Sequence, residues 1–200
     1  MSQLGSQALP LSRKAIREYA WMLRQHLGLD QTPRVDVEEL IDLRLPKALP
    51  VFEYEIAPKS VMAGSHGLAL PDYKAIIIRD DVHSGACEGE GRDRFTIIHE
   101  LGHILLHTND RMQLRRGSAS IKTYCDPEWQ ANTFAGEFLA PRVFAPPGLQ
   151  AGAVATTFGL SVMDDDPIVH SVDTGFVDYR TANIFVAVGR GWLTAQRAAC

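Results

Sequence analysis

The strongest constraint on the fold is the segment 92–107, in which apolar residues flank a central group of polar side chains. Its centre reads HELGH (99–103), preceded by FTII and followed by ILLH. This rhythm of apolar residues predicts an amphipathic helix. Four residues correspond to about 400° of helical rotation, so His99 and His103 project from one face, about 6 Å apart along the axis. The fold must therefore accommodate two histidines and the intervening Glu100 at one place on one helix.

Two imidazoles at this spacing can share one zinc ion at roughly 2.0–2.1 Å. Glu100 lies one step round the helix, which suits a general base for metal-activated water rather than a ligand. The alternative is an ordinary helix with surface histidines, but burying these three side chains without a shared partner would be costly. The sequence therefore predicts a Zn²⁺ site with His99 and His103 as ligands and Glu100 as the catalytic base. Gly102 has no side chain, which would let another element pack close to the metal face.

A catalytic zinc needs a third protein ligand. The segment does not continue as H-E-x-x-H-x-x-G-x-x-H, because Leu106 and Asn109 stand where a glycine and a histidine would be required. His107 lies about 12 Å along the helix from His99, too far to bind the same ion. We therefore interpret His107 as a half-buried histidine at the helix end, or as a residue that supports a metal ligand through a hydrogen bond.

A second helix, predicted over 127–140, carries better candidates for the third ligand. Glu128 and Glu137 are nine residues apart and so face opposite sides, which means that only one can reach the metal. Glu128 is either the ligand or a first-turn carboxylate that interacts favourably with the helix dipole. Asn132, one turn later on the same face, could hydrogen-bond a zinc-bound histidine. Glu137 is expected in a salt bridge or at the surface.

The remaining pattern predicts an α+β fold: a mainly helical, zincin-like domain with a small sheet of about three strands, mixed or antiparallel, packed against the HExxH helix. We expect residues 1–150 to form this domain and 151–200 to form a C-terminal extension packed on it. Residues 81–91 are predicted to be a loop and 109–125 to be irregular. The helix predicted at 37–43 is expected to end before Pro46. The further predicted helices are 11–28, 37–43 and 154–162, and the predicted strands are 51–57, 75–78 and 176–188.

Composition excludes several classes of protein. The net charge of −4 argues against a surface built for nucleic-acid phosphates. The segment AVATTFGLSV has spacing like a helix-turn-helix corner, but the acidic MDDDP that follows would repel DNA. No stretch approaches the roughly 18 apolar residues of a membrane span, and the N-terminus lacks the apolar core of a signal peptide. Three sparse cysteines form no disulfide framework, so a cytoplasmic location is expected.

Three segments, taken together, resemble the ImmA/IrrE family of bacterial and phage metallopeptidases. The similarity extends over roughly residues 15–142 and rests on AIIIRD (75–80), RFTIIHELGHILLH (94–107) and EWQANTFAGEFLAP (128–141). The resemblance implies that the zinc ligands are His99, His103 and Glu128 and that Glu100 is the catalytic base. It also implies, by similarity to thermolysin-like enzymes, that Asn132 supports one of the zinc-bound histidines.

The family resemblance also implies a substrate class. Family members typically cleave or inactivate a helix-turn-helix repressor, which releases prophage, mobile-element or stress genes, and some belong to toxin–antitoxin-like pairs. A repressor or antitoxin-like protein is therefore the expected partner. Two alternatives stay open: a non-catalytic regulatory protein of such a pair, with a structural or latent zinc site, and a zinc amidase acting on a non-protein amide. The acidic DDDP turn and residues 168–200 match no family pattern.

Overall fold

Helices dominate the part of the chain that the computed structural model describes, which is residues 4–116, 121–145, 148 and 150–160. Two small sheets complete it. The helices are α1 (Arg13–His26), α2 (Val37–Glu39), α3 (Leu45–Ala48), α4 (Asp80–Cys87), α5 (Gly91–Leu106), α6 (Pro127–Leu139) and α7 (Ala151–Phe158). The strands are β1 (Leu4–Ala8), β2 (Glu53–Ala57), β3 (Gly67–Leu70), β4 (Ala75–Arg79) and β5 (Met112–Arg116).

The larger sheet is mixed and has the strand order β2-β4-β3. Strand β2 runs parallel to β4, and β3 runs antiparallel to it. Ile76 and Ile78 of the central strand are fully buried and belong to the same apolar core as Ile98 and Leu101 of α5. The prediction of an α+β, mainly helical fold with a small mixed sheet on the HExxH helix is confirmed.

Helices α5 and α6 pack closely because Gly102 has no side chain. A Cβ atom at Gly102 would lie 3.1 Å from the Phe134 ring and 3.2 Å from Ala131 Cα, tighter than ordinary contact. Phe134 and Phe138 of α6 are fully buried in the core beside α5. The expected close approach to the metal face therefore occurs, and α6 is the element that makes it.

Helix α4 lies where the sequence analysis expected a loop, so that prediction was wrong. Val82 and Ala86, one helical turn apart, are both buried. Gly85 faces Asp93 of α5 so closely that a Cβ would lie 2.0 Å from the carboxylate. Ser84 and Gly85 have weak helix propensity, but tertiary packing outweighs it.

Two further predictions were wrong. The segment 109–125 is not irregular throughout, because β5 pairs antiparallel with β1 from the start of the chain, Leu4 opposite Arg116. The helix predicted at 37–43 does not end before Pro46. It widens into a π-helix over Leu40–Arg44 and then continues as α3, which has Pro46 in its first turn.

A buried arginine ties α7 to the start of α5. Arg94 is 2% exposed, and its guanidinium donates to the carbonyl oxygens of Val35, Phe158 and Gly159. Burial lowers the pKa of Arg94 to about 10, so the group is still charged at neutral pH.

The division into 1–150 and 151–200 stays a prediction. Residues 161–200, with the predicted strand 176–188 and the acidic turn, lie outside the described residues. None of the described helices could cross a membrane.

A second buried charge joins α1 to α6. Both oxygens of the Glu137 carboxylate accept hydrogen bonds from Arg17, each at 2.9 Å, and the Glu137 side chain is wholly buried. Replacing Arg17 with methionine should lower the free energy of unfolding by about 3 kcal/mol, because an unpaired carboxylate would be left in the interior. Urea denaturation measures this. The control Lys14→Met removes a solvent-exposed ion pair with Glu18 and should change little. Equal effects in the two variants would contradict the assignment.

Candidate metal centre

Three donor side chains from α5 and α6 converge at one point. Nε2 of His99 lies 3.4 Å from one Glu128 oxygen, and Nε2 of His103 lies 3.5 Å from the other. The two Nε2 atoms are 3.1 Å apart. Among the described residues, these three form the one group of side chains whose donor atoms are arranged to hold a metal ion.

Local sequence explains why Glu128 arrives at this point. Asp126 caps α6 by accepting a hydrogen bond from the Glu128 backbone N–H at 3.0 Å, and Pro127 occupies the first helical position. Glu128 therefore lies in the first turn of α6. The close packing at Gly102 then sets how near this turn comes to the two histidines of α5.

The donor set fits a small divalent cation. A tetrahedral ion with bonds of roughly 2.0–2.1 Å separates its ligand atoms by about 3.3–3.4 Å. In this site the two Nε2 atoms are 3.1 Å apart, and the distances from His99 to one Glu128 oxygen and from His103 to the other, 3.4 and 3.5 Å, are of the same size. Two imidazole nitrogens and one carboxylate are also a ligand set found in catalytic zinc sites, where the fourth coordination position is left for water or substrate.

Each histidine has a partner behind it. The Nδ1–H of His99 donates to Oδ1 of Asn132 at 2.9 Å, which leaves Nε2 as the nitrogen that faces Glu128. Nδ1 of His103 is 2.9 Å from Nδ1 of His107, the residue predicted to end the helix or to support a ligand. His107 is buried at 5% exposure. Burial, reinforced by the nearby His103, lowers the pKa of His107 to about 4, so its ring is neutral at pH 7.

Electrostatics favour a cation between the three donors. Burial alone would raise the pKa of Glu128, but hydrogen bonds with His103 and His99 outweigh it and hold that pKa well below its usual range. Burial alone would likewise lower the pKa of His99, but the Glu128 carboxylate and the charge of Glu100 raise it above its ordinary value. The site thus concentrates negative potential where its donor atoms meet, as a cation site requires.

Glu100 is held beside this group between α5 and β3. It is 4% exposed, and its carboxylate accepts a hydrogen bond from the backbone N–H of Ala69. Burial raises the pKa of Glu100, against the opposing effects of His99 and His103. A carboxylate with a raised pKa is a stronger base than a solvated one, as general base catalysis near neutral pH requires.

Residues 63–146 match the sequence model of the family described as Peptidase_M78, IrrE N-terminal-like domain. This segment belongs to the ImmA/IrrE family. The match contains β3, β4, α4, α5 and α6, and therefore every residue of the site described above. No curated protein and no solved structure gives a significant match to the chain.

The family assignment makes this a metallopeptidase-type domain with a possible metal-binding triad of His99, His103 and Glu128. The roles of the three ligands, of Glu100 as base, and of Asn132 and His107 as supporting residues stay predictions, to which the structure adds the distances above.

Two residues of this site, Gln130 and Gly67, were not predicted from the sequence. Gln130 is completely buried behind His107, with Nε2 of His107 3.1 Å from Oε1 of Gln130. The available signal was a polar residue in line with Phe134 and Phe138 on the buried stripe of the helix. Gly67 is the first residue of β3, and a glycine in so short a strand carries no sequence signal of its contact with Glu100.

Gly67 limits the space around the catalytic-base candidate. A Cβ atom at Gly67 would lie 2.7 Å from Cγ of Glu100 and 2.9 Å from Cδ1 of Ile78. Gly67→Ala should therefore displace the Glu100 carboxylate and lower peptide cleavage by about 10²-fold with zinc affinity unchanged. The control Gly152→Ala meets no atom within 4 Å and should leave cleavage unaffected. Parallel loss of zinc binding in Gly67→Ala would contradict this explanation.

Proposed function

We propose that this chain is a zinc-dependent endopeptidase whose substrate is a helix-turn-helix repressor or an antitoxin-like protein. The observation that carries the proposal is the convergence of His99, His103 and Glu128 beside the buried carboxylate of Glu100. A structural zinc site needs no adjacent base, whereas hydrolysis requires one. The membership of residues 63–146 in the ImmA/IrrE family supports the same reading.

In the proposed reaction the residues of the chain have separate roles. His99, His103 and Glu128 would hold the zinc, which supplies Lewis acidity that polarises the scissile carbonyl and makes water acidic enough to attack it. Glu100 would take a proton from the attacking water and pass it to the leaving amine. The raised pKa of Glu100 suits both transfers, because the carboxylate must first accept and then release the same proton.

Within the described part of the chain β3 is an outer strand, and its unpaired edge is the proposed docking site for an extended substrate. The His66 carbonyl accepts from the Arg79 N–H, so with the antiparallel register Leu68 and Leu70 also bond to β4. The backbone groups of Gly67 and Ala69 then point away from β4, and the Ala69 N–H already reaches Glu100. A peptide strand added at this edge would pass beside the base.

The other outer strand of this sheet, β2 in segment 51–57, is less suited to this role. It lies on the far side of β4 from β3. Glu100 contacts the opposite edge of the sheet, at Gly67 and Ala69. We therefore place the substrate strand at β3.

The proposed function is tested with the purified, zinc-loaded chain and candidate helix-turn-helix proteins, beginning with any that genes adjacent to its own encode. We expect one or a few defined cleavage sites by mass spectrometry, and no cleavage after chelation of zinc. The Glu100→Gln variant should bind the same protein without cutting it. If the variant and the parent chain bind it alike and neither cuts it, a non-catalytic partner-binding role replaces the peptidase. Cleavage that persists in both would mean that another group is the base.

A further inference from the structure

A continuous chain of buried hydrogen bonds extends from His103 to the backbone of two distant segments. His103 Nδ1 contacts His107 Nδ1 at 2.9 Å, and His107 Nε2 contacts Gln130 Oε1 at 3.1 Å. Gln130 Nε2 in turn contacts the carbonyl oxygens of Leu9, at 2.9 Å, and Tyr124, at 2.8 Å. Gln130 is 0% exposed and His107 5%, so water does not compete for these partners.

The Gln130 end of this hydrogen-bond series determines which atom donates and which accepts in every bond of the series. A carbonyl oxygen only accepts, so the two protons of the Gln130 amide must point at Leu9 and Tyr124. If the Gln130 amide were flipped, its own oxygen would face the carbonyl oxygens of Leu9 and Tyr124, and no proton would lie between them. Its Oε1 is consequently the atom that faces His107, and it must accept the Nε2–H of that ring.

The same logic continues to the metal site. A neutral imidazole has one N–H, and His107 uses its N–H towards Gln130, so its Nδ1 can only accept. The bond between the two rings must then be donated by Nδ1–H of His103. That leaves Nε2 of His103 without a proton, facing Nε2 of His99 at 3.1 Å and Glu128 at 3.5 Å.

We propose that Gln130 is a positioning residue that acts through His107 to hold His103 in the tautomer whose Nε2 is free to bind metal. The inference rests on the proposed zinc site but not on the proposed cleavage. Asn132 contacts His99 directly, whereas Gln130 acts on His103 through the ring of His107. Gln130 also ties the site to the end of β1, because Leu9 directly follows that strand.

The first measurement is the tautomer itself, by nitrogen NMR of histidine in the metal-free protein. We expect the His103 ring of the parent chain to carry its proton on Nδ1, and Gln130→Met to give a mixture of the two tautomers. Methionine has nearly the same length as glutamine but offers no amide. An unchanged His103 tautomer in Gln130→Met would overturn the proposal, whether or not the protein cleaves anything.

The second measurement is zinc affinity, by competition with a chelator. Loss of a partner behind a metal ligand typically costs about 10–100-fold in affinity, and we expect a loss in this range for Gln130→Met and for His107→Leu. His107→Gln keeps one acceptor and one donor in line and should recover most of the affinity. Thr133→Val, an isosteric change on the same helix, serves as the control and should bind zinc like the parent chain.

The His107 pair keeps the test valid if Gln130→Met destabilises the protein through its lost bonds to Leu9 and Tyr124. A thermal melt of each metal-free variant identifies that case. Equal zinc affinity in His107→Leu and His107→Gln, at equal stability, would show that His107 only fills space and would overturn the inference. A parent chain that binds zinc and shows the expected tautomer but cleaves no protein would refute the proposed function alone.

Discussion

Replacing Glu100 with glutamine is expected to lower the rate of peptide cleavage by about 10²–10⁴-fold without weakening zinc binding. The amide has the same shape as the carboxylate and can still accept the Ala69 N–H, but it cannot take a proton from water. Glu100 is not one of the three converging donors, so the metal site should be intact. Cleavage of the identified substrate under single-turnover conditions and zinc content of the purified variant are the two measurements.

Glu90→Gln is the matched control for this experiment. Glu90 is exposed at the start of the same helix, and its side chain forms no capping hydrogen bond, so the same loss of charge occurs away from the site. The control should cleave like the parent chain. A Glu100→Gln variant that cleaves at the control's rate would remove Glu100 from the mechanism, whereas one that has lost its zinc would show that Glu100 helps to hold the metal.

The second large effect is expected for Glu128→Gln, which should reduce zinc affinity by more than the roughly 10–100-fold that loss of a supporting partner costs. The variant keeps the size of the side chain but removes the charge whose lowered pKa marks it as the anionic donor of the site. At a zinc concentration 100 times the parent Kd, bound zinc stabilises the native state by about 2.7 kcal/mol. The variant should lose most of this zinc-dependent stabilisation in a thermal or urea titration.

Glu18→Gln provides the comparison for Glu128→Gln. Glu18 is a solvent-exposed glutamate on α1 that forms an ion pair with the exposed Lys14. Its replacement should leave both zinc affinity and the response of stability to zinc as in the parent chain. Undiminished zinc affinity in Glu128→Gln would show that the carboxylate is no ligand, and the enzymatic interpretation would then need another donor.

Much of the site could be predicted because its residues are linked by local spacing. Two histidines four residues apart on an apolar helix must share a face, and a capped helix start places Glu128 in its first turn. Gln130 was harder, because its meaning depends on Leu9 and Tyr124, whose carbonyl oxygens no local pattern assigns to it. Spacing reveals which residues share a helix face but not what lies opposite that face.

The elements that were missed depend on contacts between distant parts of the chain. Strands β1 and β5 pair across more than one hundred residues, and each has only two apolar residues, too few to predict a strand from its own sequence. Strand β3 is four residues long, too short for a periodic signal, and owes its place to β4. Helix α4 contains serine and glycine, and its buried side is stabilised by α5 rather than by helix propensity.

The guanidinium of Arg94 bears on where this domain can be shortened. The family match ends at residue 146, yet two of the three carbonyl oxygens that Arg94 contacts belong to Phe158 and Gly159. A chain that ends at residue 146 would still contain the buried Arg94 guanidinium in the first turn of α5. It would lack the carbonyl oxygens of Phe158 and Gly159 that accept hydrogen bonds from this group. Each orphaned donor would cost about 1–3 kcal/mol, so a stable fragment for biochemistry should extend at least through residue 160.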